Sequence, residues 1–186
     1  MTPEPVLTPA RLASAYSYAA YRQLIDNLLE EGRTTGPQQS EFLTHYTRLN
    51  VQRMERLDKT VRLLPELAEA AASLRGHYEW LILTEGWCGD AAQIVPVLEA
   101  VAQASGGKIT THYLLRDDNP DLMDRYLTAG GRAIPKLVVL HADTLAEAAQ
   151  WGPRPAPAQT LYLDLKARQV PFEEASTALH TWYAKD

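Results

Sequence analysis

Tyr78-Glu79-Trp80-Leu81-Ile82-Leu83-Thr84-Glu85-Gly86-Trp87-Cys88-Gly89-Asp90 is the stretch that decides the fold. Its first seven residues form a short apolar run with no helical period, which reads as a buried strand. Gly86 breaks the run. From Gly89 to about Ala104 the pattern is helical, with Ile94, Val97, Leu98 and Val101 on one face. Cys88 therefore stands where a buried strand ends and a helix begins. The free N–H groups and dipole of a helix N-terminus favour negative charge. A thiol there is drawn toward thiolate, the form that attacks disulfides. Elsewhere a lone cysteine is more often an inert, buried small hydrophobe.

On the C-terminal side, Gly106-Gly107 ends the helix and Lys108 to Leu115 reads as a second strand. Asn119-Pro120 opens a helix through Leu127, closed by Gly130-Gly131, and Lys136 to Leu140 is a third strand. Thr144 to Trp151 allows either a fourth strand or a helical turn. Pro153, Pro155 and Pro157 mark a loop, and two helical pieces follow, about 158–169 and 172–184, separated at Pro171.

On the N-terminal side the chain reads as helices. Thr8-Pro9 is a start signal: a capping hydroxyl, then proline at the first helical position. Leu12, Tyr16, Ala20, Leu24 and Leu28 recur every four residues, Tyr21, Ile25 and Leu29 widen the stripe, and Gly32 is a C-terminal cap. The spacing predicts one helix. A second starts at Gly36-Pro37, with Phe42, Leu43, Tyr46, Leu49, Met54 and Leu57 as its apolar face, and a third runs from Pro65 to Gly76. Strands alternating with helices predict an α/β fold with parallel pairing and right-handed crossovers. A short link in the late strand pair predicts an antiparallel addition. The domain reading is a helical extension over 1–60 and an α/β domain over 61–186.

The 186 residues carry 18 basic and 23 acidic side chains, a formal charge of −5, and ordinary globular composition with 46% hydrophobic residues. That balance speaks against a nucleic-acid binder. The basic stretch Arg48, Arg53, Arg56, Lys59 and Arg62 is interleaved with Glu55 and Asp58, as on a solvated helix face. One cysteine excludes a disulfide scaffold. Met1 to Ala10 lacks the pattern of a signal peptide, and no apolar run approaches the ~18 residues of a membrane span. A soluble, reducing, cytoplasmic setting is expected. None of His45, His77, His112, His141 and His180 has metal-ligand spacing, so no metal and no cofactor is expected.

Trp87-Cys88-Gly89-Asp90-Ala91, followed by Ile94, Pro96, Leu98 and Ala102, resembles the active-site segment of the thioredoxin family. The family has tryptophan, cysteine, two residues and a second cysteine, then a proline eight residues after the first cysteine. Pro96 stands at that offset. A proline inside a helix costs about 3 kcal/mol, so its presence needs a reason. Gly131-Arg132-Ala133-Ile134-Pro135-Lys136-Leu137-Val138-Val139 resembles the segment carrying the family's cis-proline. The resemblance implies a thioredoxin-like fold, a central mixed sheet of about four strands flanked by helices. It also implies that Pro135 lies against Cys88 and that Ile134 offers backbone groups to a substrate. Without it, Pro135 is a trans-proline heading an edge strand. Trp151-Gly152 is a weaker match to the groove. Arg154 would then fall nearby, although a loop arginine is more often solvated. These matches span about 62–170, and the helical N-terminus and Trp-Gly-Pro-Arg-Pro stretch resemble bacterial thioredoxin-family proteins of undefined role.

Three positions depart from the family. Ala91 replaces the second cysteine, so a mixed disulfide on Cys88 must be released by an outside thiol. Asp90 replaces a proline; it suits the helix dipole but puts negative charge beside Cys88. Ile82 stands where thioredoxins carry a buried acid, with Glu85 nearby. The expectation is a monothiol thiol–disulfide oxidoreductase with Cys88 as nucleophile and Trp87, Gly89, Asp90, Ile134, Pro135, Trp151 and Gly152 around the substrate. Its partners would be protein or low-molecular-weight thiols and disulfides. Some monothiol redoxins bridge an iron–sulfur cluster, but the residues that mark them after the cysteine are absent. The alternative is a redox-inactive module that docks peptides or partner proteins. Nothing in the chain indicates an oligomeric state.

Overall fold

The structure is a computed structural model that describes residues 7–185; most of the proline-bearing start lies outside them. Thr8 caps α1 (Pro9–Ser14), its hydroxyl accepting from the Arg11 amide at 3.2 Å. The single N-terminal helix expected from the four-residue spacing is in fact two. The backbone turns extended at Ala15, and Tyr16 exchanges two 2.9 Å backbone hydrogen bonds with Tyr113. Ser17 then caps α2 (Tyr18–Glu30), accepting from the Ala20 amide. The break has two causes that spacing does not encode: a local cap at Ser17 and a strand edge that pairs with Tyr16. Tyr21 and Ile25 are the fully buried residues of α2. These come from the wider part of the stripe.

α3 (Glu41–Thr60) begins after Ser40, which accepts from the Leu43 amide, rather than at Gly36-Pro37. Gln39 takes the intervening loop, receiving the Thr34 amide at 3.0 Å and donating to the carbonyls of Thr34 and Gly36. Those bonds hold 34–39 as a turn. α4 (Pro65–Ala72) leads into β1 (Tyr78–Thr84), where Leu81, Ile82 and Leu83 are wholly buried. A central strand covered on both faces reads as continuous apolar sequence.

α5 (Gly89–Ala104) carries the chain to β2 (Ile109–Leu115), which pairs parallel with β1. α6 (Pro120–Met123) is a single turn, shorter than the 119–127 reading. β3 (Lys136–His141) then pairs antiparallel with β1, and β4 (Glu147–Trp151) antiparallel with β3. Parallel pairing thus stops at β2. The 116–135 connection carries only the short α6 and returns at the end of the sheet where β1 finishes: Lys136 registers opposite Leu83. That reversal sets Pro135 beside the loop after β1. α7 (Ala156–Ala167) and α8 (Phe172–Tyr183) complete the chain.

The result is a four-stranded mixed sheet, order β2-β1-β3-β4, with helices packed against it. The N-terminal helices share its core. Tyr21 stacks on Tyr113 at 5.5 Å between ring centroids, and Tyr21, Ile25 and Met54 join Leu81, Ile82 and Val95 in one buried cluster. β2 is an edge strand, and the Tyr16 bridge occupies part of its free edge. No helix among the described residues is long and apolar enough to cross a membrane.

Candidate active site

Two groups from the N-terminal third fix the loop between β1 and α5. The Gly86 amide donates to the Thr35 hydroxyl at 2.9 Å, and the Asn50 side-chain amide donates to the Gly86 carbonyl at 3.0 Å. Gly86 is thereby held from both sides, just before the reactive segment. Cys88 is the N-cap of α5: its sulfur accepts the Ala91 amide at 3.4 Å. The same Sγ donates to the Ile134 carbonyl, also at 3.4 Å, and the Ile134–Pro135 peptide bond is cis. Cys88 is 8% exposed.

Opposing forces act on the thiol. Burial pushes its pKa up to about 12, and the Asp90 carboxylate adds to that; the Ala91 amide and the Arg154 guanidinium pull the other way. At neutral pH the thiol is protonated, consistent with its donating to Ile134. Asp90 does not stand alone. Arg154 grips it through Nε at 2.9 Å and Nη2 at 2.6 Å, and the Tyr183 hydroxyl donates to it at 2.8 Å. Arg154 is steadied by Gln159 at 3.0 Å and by the Tyr162 ring, 4.0 Å from its guanidinium carbon. The bidentate geometry fits arginine and no other cation.

Gly89 is crowded by side chains from α3 and α8. A Cβ there would lie 2.9 Å from both His180 Nε2 and the Tyr46 hydroxyl. Those two groups are hydrogen-bonded at 2.9 Å, and His180 Nδ1 meets the Gln93 amide at 3.0 Å. Tyr46 also bonds Ser176. Burial, reinforced by Arg53, holds the His180 pKa down at about 4, so the ring is neutral at pH 7. Glu85 is wholly buried behind the loop and accepts the Asp117 amide at 2.9 Å; burial pushes its pKa up to about 7. Ile82 is core.

A cleft of about 570 Å³ opens over this centre. Trp87, Cys88, Gly89, Asp90 and Ile134 line it, together with Arg154. Trp87 is capped by Arg116, 4.7 Å from its ring centroid. Three of the residues expected around the substrate, Pro135, Trp151 and Gly152, do not line this cleft, although Pro135 directly follows the Ile134 carbonyl that Sγ touches. Trp151 is on β4, paired with Leu137, and Gly152 packs closely on the Pro135 backbone. Gly152 has φ +117°, and a Cβ there would come within 2.3 Å of the Pro135 carbonyl oxygen. Sequence reading missed the other wall: Phe42 and Tyr46 from α3, and Phe172, Ser176 and His180 from α8. Phe42, read as part of its helix's apolar face, is 50% exposed on the cleft. These residues lie far from Cys88 in the chain, and no local pattern links them to it.

Comparison with known proteins agrees with this geometry. A family model described as thioredoxin matches residues 36–170. Thioredoxin of Rhodospirillum rubrum is 40% identical over 60 residues, 32% of this chain and 55% of that protein. Thioredoxin 1 of Nostoc sp. is 36% identical over 53 residues, 28% of this chain and 47% of its own length. The matches span about half the length of these relatives. A Pseudomonas aeruginosa protein of unknown function superposes with a TM-score of 0.50 at 18% identity, covering 91% of this chain and 96% of that one. An HIV epitope-scaffold gives the same score at 17% identity, with the same coverage. These two share the fold. With the match across 36–170, this chain belongs to the thioredoxin family.

Proposed function

We propose that the protein is a monothiol thiol–disulfide oxidoreductase in which Cys88 is the nucleophile. The observation that carries this reading is the position of Sγ. It caps the N-terminus of α5 and touches the Ile134 carbonyl, in an open cleft. The thiolate of Cys88 attacks one sulfur of a disulfide. A Cys88–substrate disulfide forms, and the other half leaves as a thiolate that takes up a proton. With no second cysteine in the chain, an external thiol then attacks the mixed disulfide. Its sulfur bonds to the substrate half, and Cys88 leaves as a thiolate. The net reaction exchanges one thiol for another in a disulfide, with no net change of oxidation state. A reducing cytoplasm, rich in low-molecular-weight thiols, suits that cycle.

Burial and Asp90 hold the resting thiol protonated, so the rate of attack rises with pH throughout the neutral range. Intact-mass measurement tests the reading. Cys88 is expected to gain one disulfide-linked adduct from an oxidised low-molecular-weight thiol and lose it when excess free thiol is added. A Cys88 that takes up no adduct at any pH at which the fold survives would overturn it. The chain would then be a docking module, and Cys88→Ser would leave partner binding intact.

A further inference from the structure

Cys88 lies at one end of a longer surface. Beside its cleft is a second hollow of about 550 Å³ between α3 and α8. The two share Phe42, Tyr46, Phe172, Ser176 and His180 as a common wall. Phe42 and Phe172 meet edge to face at 5.7 Å, yet remain 50% and 59% exposed. Leu163, 52% exposed, faces the first cleft from α7. Three of the molecule's exposed large apolar side chains thus gather on one channel, and apolar surface of that kind marks recognition.

Once the arginine–aspartate pairs are set aside, the charge left on the channel is positive, opposite to that of the whole molecule. The chain carries a formal −5. The first cleft is lined by Arg116, Arg132, Arg154 and Lys166, and its one acid, Asp90, is already held by Arg154. Arg116 and Arg132 pair with Asp117 and Asp124, which lie off the lining, and Lys166 has no ion-pair partner among the described residues. The second hollow adds Arg53 and Lys185 against Glu173. A basic channel in an acidic protein steers anions toward it. A small thiol would fill one hollow only. An extended chain can lie along both, with its cysteine at Cys88.

We infer that the substrate is an acidic polypeptide segment that presents its cysteine to Cys88 and seats an aromatic or branched apolar side chain on Phe42 and Phe172. This inference rests on the monothiol reading for its chemistry but not for its binding surface. The recognition elements are α3 and α8. They therefore set which disulfides reach a thiol that is otherwise buried.

Synthetic peptides separate the two layers. Three are needed, each carrying one cysteine as a mixed disulfide with thionitrobenzoate: acidic with phenylalanine, acidic with alanine in its place, and lysine-rich with phenylalanine. Attack by Cys88 links it to the peptide and releases the coloured thionitrobenzoate. The first peptide is expected to react at least about tenfold faster than the third at low salt, and the gap to narrow as salt rises. Lys166→Glu and Phe172→Ala, both at exposed or partly exposed positions, lower that ratio and the ratio to the alanine peptide respectively. A serine form of the first peptide, followed by fluorescence anisotropy, reports docking without chemistry. Equal rates for the acidic and basic peptides, or equal anisotropy for their serine forms, would overturn the inference. If the acidic serine peptide docks selectively while neutral dipyridyl disulfide fails to label Cys88, the surface stands and the monothiol reading falls.

Discussion

Asp90 sits two residues after Cys88, and its charge disfavours the thiolate. Its own partners, Arg154 and Tyr183, are 64 and 93 residues away in the chain. Asp90→Asn removes the negative charge and releases Arg154 from its ion pair. Both changes favour the thiolate, so the Cys88 pKa is expected to fall below the wild-type value. Thiolate absorbance against pH measures it, and an unchanged midpoint would mean that burial alone sets the thiol. Gly152 makes a different demand. A Cβ 2.3 Å from the Pro135 oxygen at φ +117° has no room and no favourable backbone. Gly152→Ala is expected to cost about 3 kcal/mol or more in chemical denaturation. The cysteine, the cis-proline segment and the glycine are each visible in the sequence, because each is a local pattern. The Arg154 clamp on Asp90 is not, because a loop arginine carries no mark of the carboxylate it will meet.

At the scale of elements, α8 is the part that turns an exposed centre into a cleft. Its polar contacts are Tyr183 on Asp90, His180 on Gln93 and Tyr46, and Ser176 on Tyr46. Leu179, 9% exposed, is the one buried residue of α8. Polar bonds therefore carry much of the docking. Tyr183→Phe keeps the ring and removes one hydrogen bond to a charged acceptor, at a cost of roughly 1.5–3 kcal/mol. Hydrogen exchange of the α8 amides is expected to speed up while β1, buried on both faces, stays protected. Equal protection of α8 in the variant and wild type would show that Leu179 and the aromatic contacts suffice. The sequence shows α8 as a helix through its apolar period. It does not show which helix receives it, since Tyr46 and Gln93 lie on helices whose neighbours depend on the sheet's topology. The same limit explains the one-helix reading of 9–32: the partner that breaks it, Tyr113, is on a distant strand.

For the molecule as a whole, two buried titratable groups make opposite contributions to stability. Glu85 has its folded pKa raised from an ordinary 4.5 to about 7. Between those values the folded state holds a proton that the unfolded state has lost, so stability falls as pH rises through about 7. His180 has its folded pKa lowered from 6.5 to about 4. Between those values the unfolded state holds the extra proton, so stability falls as pH drops from 6.5 through about 4. Across about 4.5–6.5 the two slopes oppose each other and largely cancel. Asp121 and Asp124, held low by Arg11 and Arg132, act only below their ordinary 3.8. The wild-type thermal midpoint is therefore expected to be nearly flat from pH 4.5 to 6.5 and lower above pH 7. Glu85→Gln keeps an acceptor for the Asp117 amide and removes the buried charge. It is expected to be more stable than wild type at pH 8, by on the order of 3 kcal/mol. In the variant the His180 slope is no longer masked, so its midpoint falls steadily as pH drops below 6.5. Parallel wild-type and variant curves from pH 4 to 8 would mean that Glu85 stays ionised in the folded protein. The Asp117 amide and neighbouring dipoles would then be supplying what burial withholds.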